Sequence, residues 1–199
     1  MKHAWILALL SVTGCLDLKA SYPDRRFYTL EPSRAGALRT PAAGTVLRVR
    51  RFTASKLCDG SELVTRTGDS TYETDFYNVF FAPPALMAGE QTQRWLSGSG
   101  LFGTVVGNGS SVAETHVLEG NLVSLHGDVT HGDLAAAVVE MQFMLVRVTS
   151  DPAAVLLQKT YRQAVPVGSG EPAVMVKGWV EGMAKILSAL EEDLAGARK

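Results

Sequence analysis

The sequence predicts a single α/β (α+β) domain: a small, mostly antiparallel, twisted sheet packed by two main amphipathic helices. Three observations predict it. A strand-like stretch, 72–81, runs into Pro83-Pro84 and then into a helical stripe. Three alternating segments between 115 and 165 follow one another across short turns, as a meander does. The C-terminal residues repeat apolar side chains at three- and four-residue spacing.

Taken as a strand, 72–80 places Tyr72, Phe76 and Phe80 on one face and Glu73, Asp75, Tyr77 on the other, since successive side chains alternate. Neither Pro83 nor Pro84 offers an N–H to a ladder, and both suit a helix entry. The following helix, 85–97, carries Ala85, Ala88, Thr92, Trp95, Leu96 and Ser99 on one stripe, with Trp95 as its large anchor. Ser97-Gly98-Ser99-Gly100 ends it, and Leu101-Phe102 starts a return into the sheet.

The other elements follow in chain order. Strands are expected at 26–30, at 46–52 with one basic face, and at 62–66 and 71–80 around a Thr67-Gly68-Asp69-Ser70 turn. Between the first two, 31–44 reads as a loop. After a short strand at 103–106, the meander strands are 115–126, 134–149 and 155–165, with 127–133 and 150–152 as turns. The middle one puts Ala137, Val139, Met141, Phe143 and Leu145 on one face. From Pro172, a last helix aligns Val176, Val180, Met183, Leu187, Leu190 and Leu194. Gly178 and Gly182, one turn apart, allow a neighbouring backbone to approach.

The first residues point to a compartment. Met1-Lys2-His3 is a basic start and 4–10 is an apolar run too short to span a bilayer, as in a signal peptide. Val12-Thr13-Gly14-Cys15 then resembles the lipobox of bacterial lipoproteins, which implies lipidation of Cys15. The expected layout is a signal peptide over 1–14, a lipidated tether over 15–26 and a folded domain over 27–199. Each buried acyl CH₂ contributes about 0.8 kcal/mol, so a multiply acylated cysteine, palmitate included, anchors stably. Leu16 follows the cysteine in place of Asp, which by the enteric sorting rule favours the outer membrane.

Charged residues make up 20% of the chain and the formal charge is −1, so no field points at nucleic acid. There are two cysteines; with Cys15 lipidated, Cys58 has no partner for a disulfide and reads as a small, half-buried residue. Gly98-Ser99-Gly100-Leu101-Phe102-Gly103 matches G-x-G-x-x-G, but with helix before and strand after, the reverse of a dinucleotide site. Glu73 and Asp75 could in principle pair as acid and base; a solvated or partner-facing edge fits them better, since spacing brings no histidine, cysteine or lysine beside them. The spacing of His116, His126 and His131 matches no metal-ligand pattern. The expectation is a protein with no catalytic residues, no metal and no cofactor.

A lipobox cysteine, a Phe27-Tyr28-Thr29-Leu30 strand, the 72–84 segment with Tyr72, Asp75, Tyr77, Asn78, Pro83 and Pro84, and Gln93-Arg94-Trp95-Leu96 leading to Ser99-Gly100-Leu101-Phe102 together resemble the ABC-type transport auxiliary lipoproteins. That family is akin to paraquat-inducible protein C and is associated with MCE-domain lipid transporters. The resemblance implies a non-enzymatic envelope role in moving phospholipid or other hydrophobic molecules. It also implies a membrane partner through the anchor, ABC/MCE components or copies of itself as docking partners, and the quoted motif residues as fold or interface determinants. A periplasmic carrier enclosing an acyl chain between the meander and the Trp179 helix, or a scaffold of another envelope machine, are the alternative expectations.

Overall fold

The architecture hangs on one long strand, β7 (His116–His131). The computed structural model describes residues 24–131 and 134–197. Val12, Thr13, Gly14 and Cys15, and most of the expected tether, lie outside those residues. On one side β7 pairs antiparallel with β8 (Leu134–Arg147), which pairs antiparallel with β9 (Ala154–Val167). Along its other side lie β2 (Ala42–Val49), β3 (Thr53–Ala54) and β4 (Glu62–Arg66), in sequence and all parallel to it. The partners Leu47 and His116, Thr53 and Asn121, Thr65 and Gly127 mark their progress down the strand. β4 forms the expected hairpin with β5 (Tyr72–Phe80), β1 (Arg26–Tyr28) adds parallel to β5, and β6 (Phe102–Val106) adds parallel to β2.

The sheet is therefore mixed, not mostly antiparallel. Short turns betray antiparallel neighbours, and those pairings are where the sequence puts them. The parallel ones to β7 join segments more than sixty residues apart (Leu47 with His116, for example), across the crossover that carries α1 (Pro84–Ser97). No local signal reports such a pairing.

Two strands run into segments read as loop or turn. β2 begins at Ala42, inside the stretch read as loop, because Ala42 pairs with Phe102 ahead of a bulge. β7 runs through Gly127 and Asp128 to His131, since both residues are held by ladders on each side, to β4 and β8.

Helix α2 (Pro172–Ala197) covers the β8–β9 face. Its Trp179, Met183, Ile186, Leu187, Leu190 and Leu194 are buried against Ala137, Val139, Met141, Phe143 and Leu145, the expected face of β8. Each such side chain stabilises the fold by about 1.5–3 kcal/mol when fully buried. Trp179 also donates Nε1–H to the His126 carbonyl at 3.0 Å, which satisfies its one polar atom. Among the described residues no helix is long and apolar enough to cross a membrane.

Gly178 sits where a side chain has no room. A Cβ there would meet the Ala137 Cβ at 2.5 Å and Val167 Cγ1 at 2.7 Å, whereas at Gly182 the nearest atom, Val139 Cγ2, is 3.3 Å away. Alanine favours a helix interior over glycine by about 1 kcal/mol, and overpacking costs about 1–3 kcal/mol. Gly178→Ala is thus expected to lower the urea midpoint, and Gly182→Ala to leave it unchanged or raise it. The opposite order would place α2 differently on the sheet.

Candidate functional site

The sequence motif from Tyr72 to Phe102 divides in two once folded. Its second half turns inward. Pro83 is the N-cap of α1 and Pro84 its first residue; Pro84, Trp95 and Leu96 are buried on the helix face that meets the core. Phe102 is buried against the His116 ring, 5.6 Å away. At the C-terminal end of α1, Gly100 has φ +70°, and a Cβ there would come within 2.5 Å of the Arg39 carbonyl oxygen. Glycine is required on both counts. The G-x-G-x-x-G match is the helix-to-strand turn expected of it.

That turn holds the loop 31–41 in place. The Arg39 N–H donates to the Ser99 carbonyl at 2.9 Å and the Ala42 N–H to that of Leu101 at 3.3 Å. The loop in turn delivers two arginines to a buried carboxylate on α2, Glu191. Arg34 donates Nε–H to Glu191 Oε2 and Nη2–H to Oε1, both at 2.8 Å. Arg39 adds Nε–H to Oε1 at 3.1 Å, and Trp95 donates Nε1–H to Oε2 at 2.9 Å. The Glu191 side chain is only 8% exposed. Arg34 is further fixed by the carbonyls of Gly36 and Ala37. The N-terminal loop and both helices thus meet at one acid.

Beside this cluster a cleft of about 580 Å³ opens between the loop and α2, floored by Trp95 and Glu191 and flanked by Glu181, Lys185 and Glu192. Chemically the carboxylate is inert. Hydrogen bonding from Arg34 outweighs the opposing effect of burial and, with Arg39 and Trp95, holds Glu191 below the ordinary carboxylate value. Its lone pairs are all engaged, so it cannot act as a proton acceptor near neutral pH. Sequence reasoning missed it, although a signal existed: Glu191 falls four residues after Leu187, on the apolar stripe of α2. A charge on a buried stripe needs partners.

The first half of the motif stays at the sheet edge. Asp75 is not half of an acid–base pair; it caps a bulge. Its Oδ1 accepts from the Tyr77 N–H at 2.8 Å and the Asn78 N–H at 2.9 Å, and its Oδ2 from the Asn78 amide at 2.8 Å. Burial acts to raise its pKa, but these donors prevail and hold it low. Asn78 Oδ1 accepts from the Tyr28 hydroxyl at 3.0 Å, which ties β1 to β5. The bulge interrupts the alternation expected along β5, so Phe80 is buried while Phe76 projects outward. Tyr72 packs edge-on against the His126 ring at 5.6 Å.

The remaining candidates are structural. Cys58 is fully rather than half buried, its Sγ 3.2 Å from the Leu122 carbonyl, and burial raises its pKa, which opposes thiolate formation. His126 lies not at a turn but buried within β7, its Nδ1 2.7 Å from Ser124 Oγ. His116 pairs through Nδ1 with Thr115 and His131 with Thr130. Among the described residues no group of three or more His, Cys, Asp or Glu side chains could hold a metal ion.

No protein-family model and no curated protein matches the chain. Solved structures do. Protein XCC0632 from Xanthomonas campestris, of family model DUF330, superposes with a TM-score of 0.70 at 16% identity, over 87% of this chain and 98% of that one. A structure described as an uncharacterized protein gives 0.66 at 15% identity, over 86% and 99%. The hypothetical protein CT253 from Chlamydia trachomatis gives 0.53 at 8%, over 77% and 99%. The likeness is one of fold. This chain spans nearly the whole length of all three.

The Glu191 cluster makes stability depend on pH in a stated direction. A carboxylate held low in the folded state contributes fully above its ordinary value of 4.5, and that contribution is lost as pH falls through the lower folded value. Glu191→Gln should cost about 3 kcal/mol at pH 7 by leaving Arg34 without its counter-charge. The gap to wild type should narrow under acid, in urea unfolding followed from neutral pH downward. A gap independent of pH would mean that the ion pair is not what stabilises this junction.

Proposed function

We propose that this chain is a non-enzymatic accessory lipoprotein of an ABC/MCE-type transport system, held at the envelope, and at the outer membrane in particular, by a lipidated Cys15. The observation that carries the anchor is Val12-Thr13-Gly14-Cys15 behind a basic start and an apolar run. The transport role rests on the resemblance of the 72–102 motif to the auxiliary lipoproteins. The mechanism is positional. The anchor keeps the domain at a membrane surface, and a face of the domain completes or steadies a conduit for phospholipid or another hydrophobic molecule, docked on transporter components or on further copies of the chain.

The packing speaks against the alternative of a carrier that encloses an acyl chain between the meander and α2. Trp179, Met183 and Leu187 already fill that space, and Gly178 lies in contact with Ala137. The cleft beside Glu191 has apolar lining at Leu38 and Trp95, but Arg34, Arg39, Glu181, Lys185 and Glu192 set charges around it, which does not suit an acyl chain.

Cys15→Ala should abolish labelling by palmitate and move the protein from the membrane to the free fraction, with loss of outer-membrane barrier function. Affinity purification of the wild type from detergent-solubilised envelopes should recover transporter components. Intact barrier function in a strain lacking the protein and any paralogue would refute the transport role.

A further inference from the structure

At the edge where the described chain begins, a strip of aromatic side chains faces outward. Phe27, Phe76 and Phe81 are 59%, 66% and 74% exposed. They are linked: Phe27 meets Phe81 edge-on at 6.3 Å, Phe76 meets Tyr77 at 5.3 Å, and the Arg25 guanidinium stacks 5.0 Å from the Phe76 ring while its Nε–H donates to the Phe76 carbonyl at 3.1 Å. Arg25 immediately precedes β1 and Phe27 lies within it, so the two pairs flank the start of that strand. Water-facing phenylalanines in contact are costly, and the Asp75 bulge is what turns Phe76 outward.

We propose that this strip is a phospholipid-docking surface which seats the edge β1–β5 on the membrane to which the chain is tethered. Two observations select lipid as the occupant. Asp24, where the described residues begin, follows Cys15 by nine residues, so no more than about 30 Å of chain separates it from the anchor. A lipid on Cys15 therefore keeps this edge, where the chain enters the sheet, within that reach of the headgroups. The chemistry also fits. Aromatic rings beside exposed Arg25 and Arg26 match the boundary between acyl chains and anionic headgroups. Docking would hold the domain in one orientation, which a tether alone cannot do. The proposal rests on the anchor reading above.

The test uses the full chain, purified from envelopes and reconstituted in phosphatidylethanolamine–phosphatidylglycerol vesicles doped with a dibrominated phosphatidylcholine. Phe27→Trp and Phe81→Trp report on the strip, and Val155→Trp, on the opposite edge strand, is the control. The native Trp95 and Trp179 are buried and give a constant background, and Trp5 is replaced by phenylalanine in every sample. Bromolipid should cause a loss of emission from the Phe27→Trp and Phe81→Trp variants and none from Val155→Trp. The mass of residue 15 is measured on the same sample. Absence of quenching on an acylated chain overturns the docking surface and leaves the anchor standing; absence on an unmodified chain overturns both. Quenching on an unmodified chain keeps the surface and removes the anchor. Equal quenching at all three positions, or strip tryptophans shielded before lipid is added, overturns the surface in favour of non-specific adsorption or a protein contact.

Discussion

The constraint on which this structure depends is a single buried carboxylate. Glu191 lies on the inner stripe of α2, where an unpartnered charge would cost several kcal/mol. Its four donor groups come from two other parts of the chain: Arg34 and Arg39 from the N-terminal loop, Trp95 from α1. Satisfying that acid therefore fixes where the loop runs and how the two helices stand to one another. The direct packing of α1 on α2 is slight, which makes the polar junction the more important link between them.

A second acid works in the same way at the sheet edge. Asp75 organises the bulge in β5 through three donors, and Asn78 passes the constraint on to Tyr28 in β1. In both places polar side chains serve the backbone and the packing. What is left over for function is surface: the exposed aromatic strip that the bulge creates, and the cleft between the loop and α2.

Much of this was legible from the residues, for reasons of range. The α2 stripe, the inward face of β8, the proline corner into α1 and the glycine exit at Gly100 are all written in local periodicity or local backbone demand. The parallel pairings of β2, β3 and β4 with β7 were not, because they join distant segments without a turn between them. Asp75 was marked as a fold or interface residue by the resemblance, but alternation set it beside Glu73 on a solvated edge and could not show that its partners are the N–H groups two and three residues on. Glu191 went unremarked because a stripe reading counts apolar positions, and the informative residue was the one that broke the stripe. Arg34 and Arg39 sit in a loop without period, so nothing local connects them to an acid more than 150 residues away.

The central structural claim is that Glu191 holds the N-terminal loop against both helices. Amide hydrogen exchange of Arg39 and Ala42, compared between wild type and Glu191→Gln, tests it most directly. If the claim is right, both amides lose protection in the variant while those of the β7–β8 ladder keep theirs. Unchanged protection at Arg39 and Ala42, with the acid neutralised, would show that the loop is held by something else.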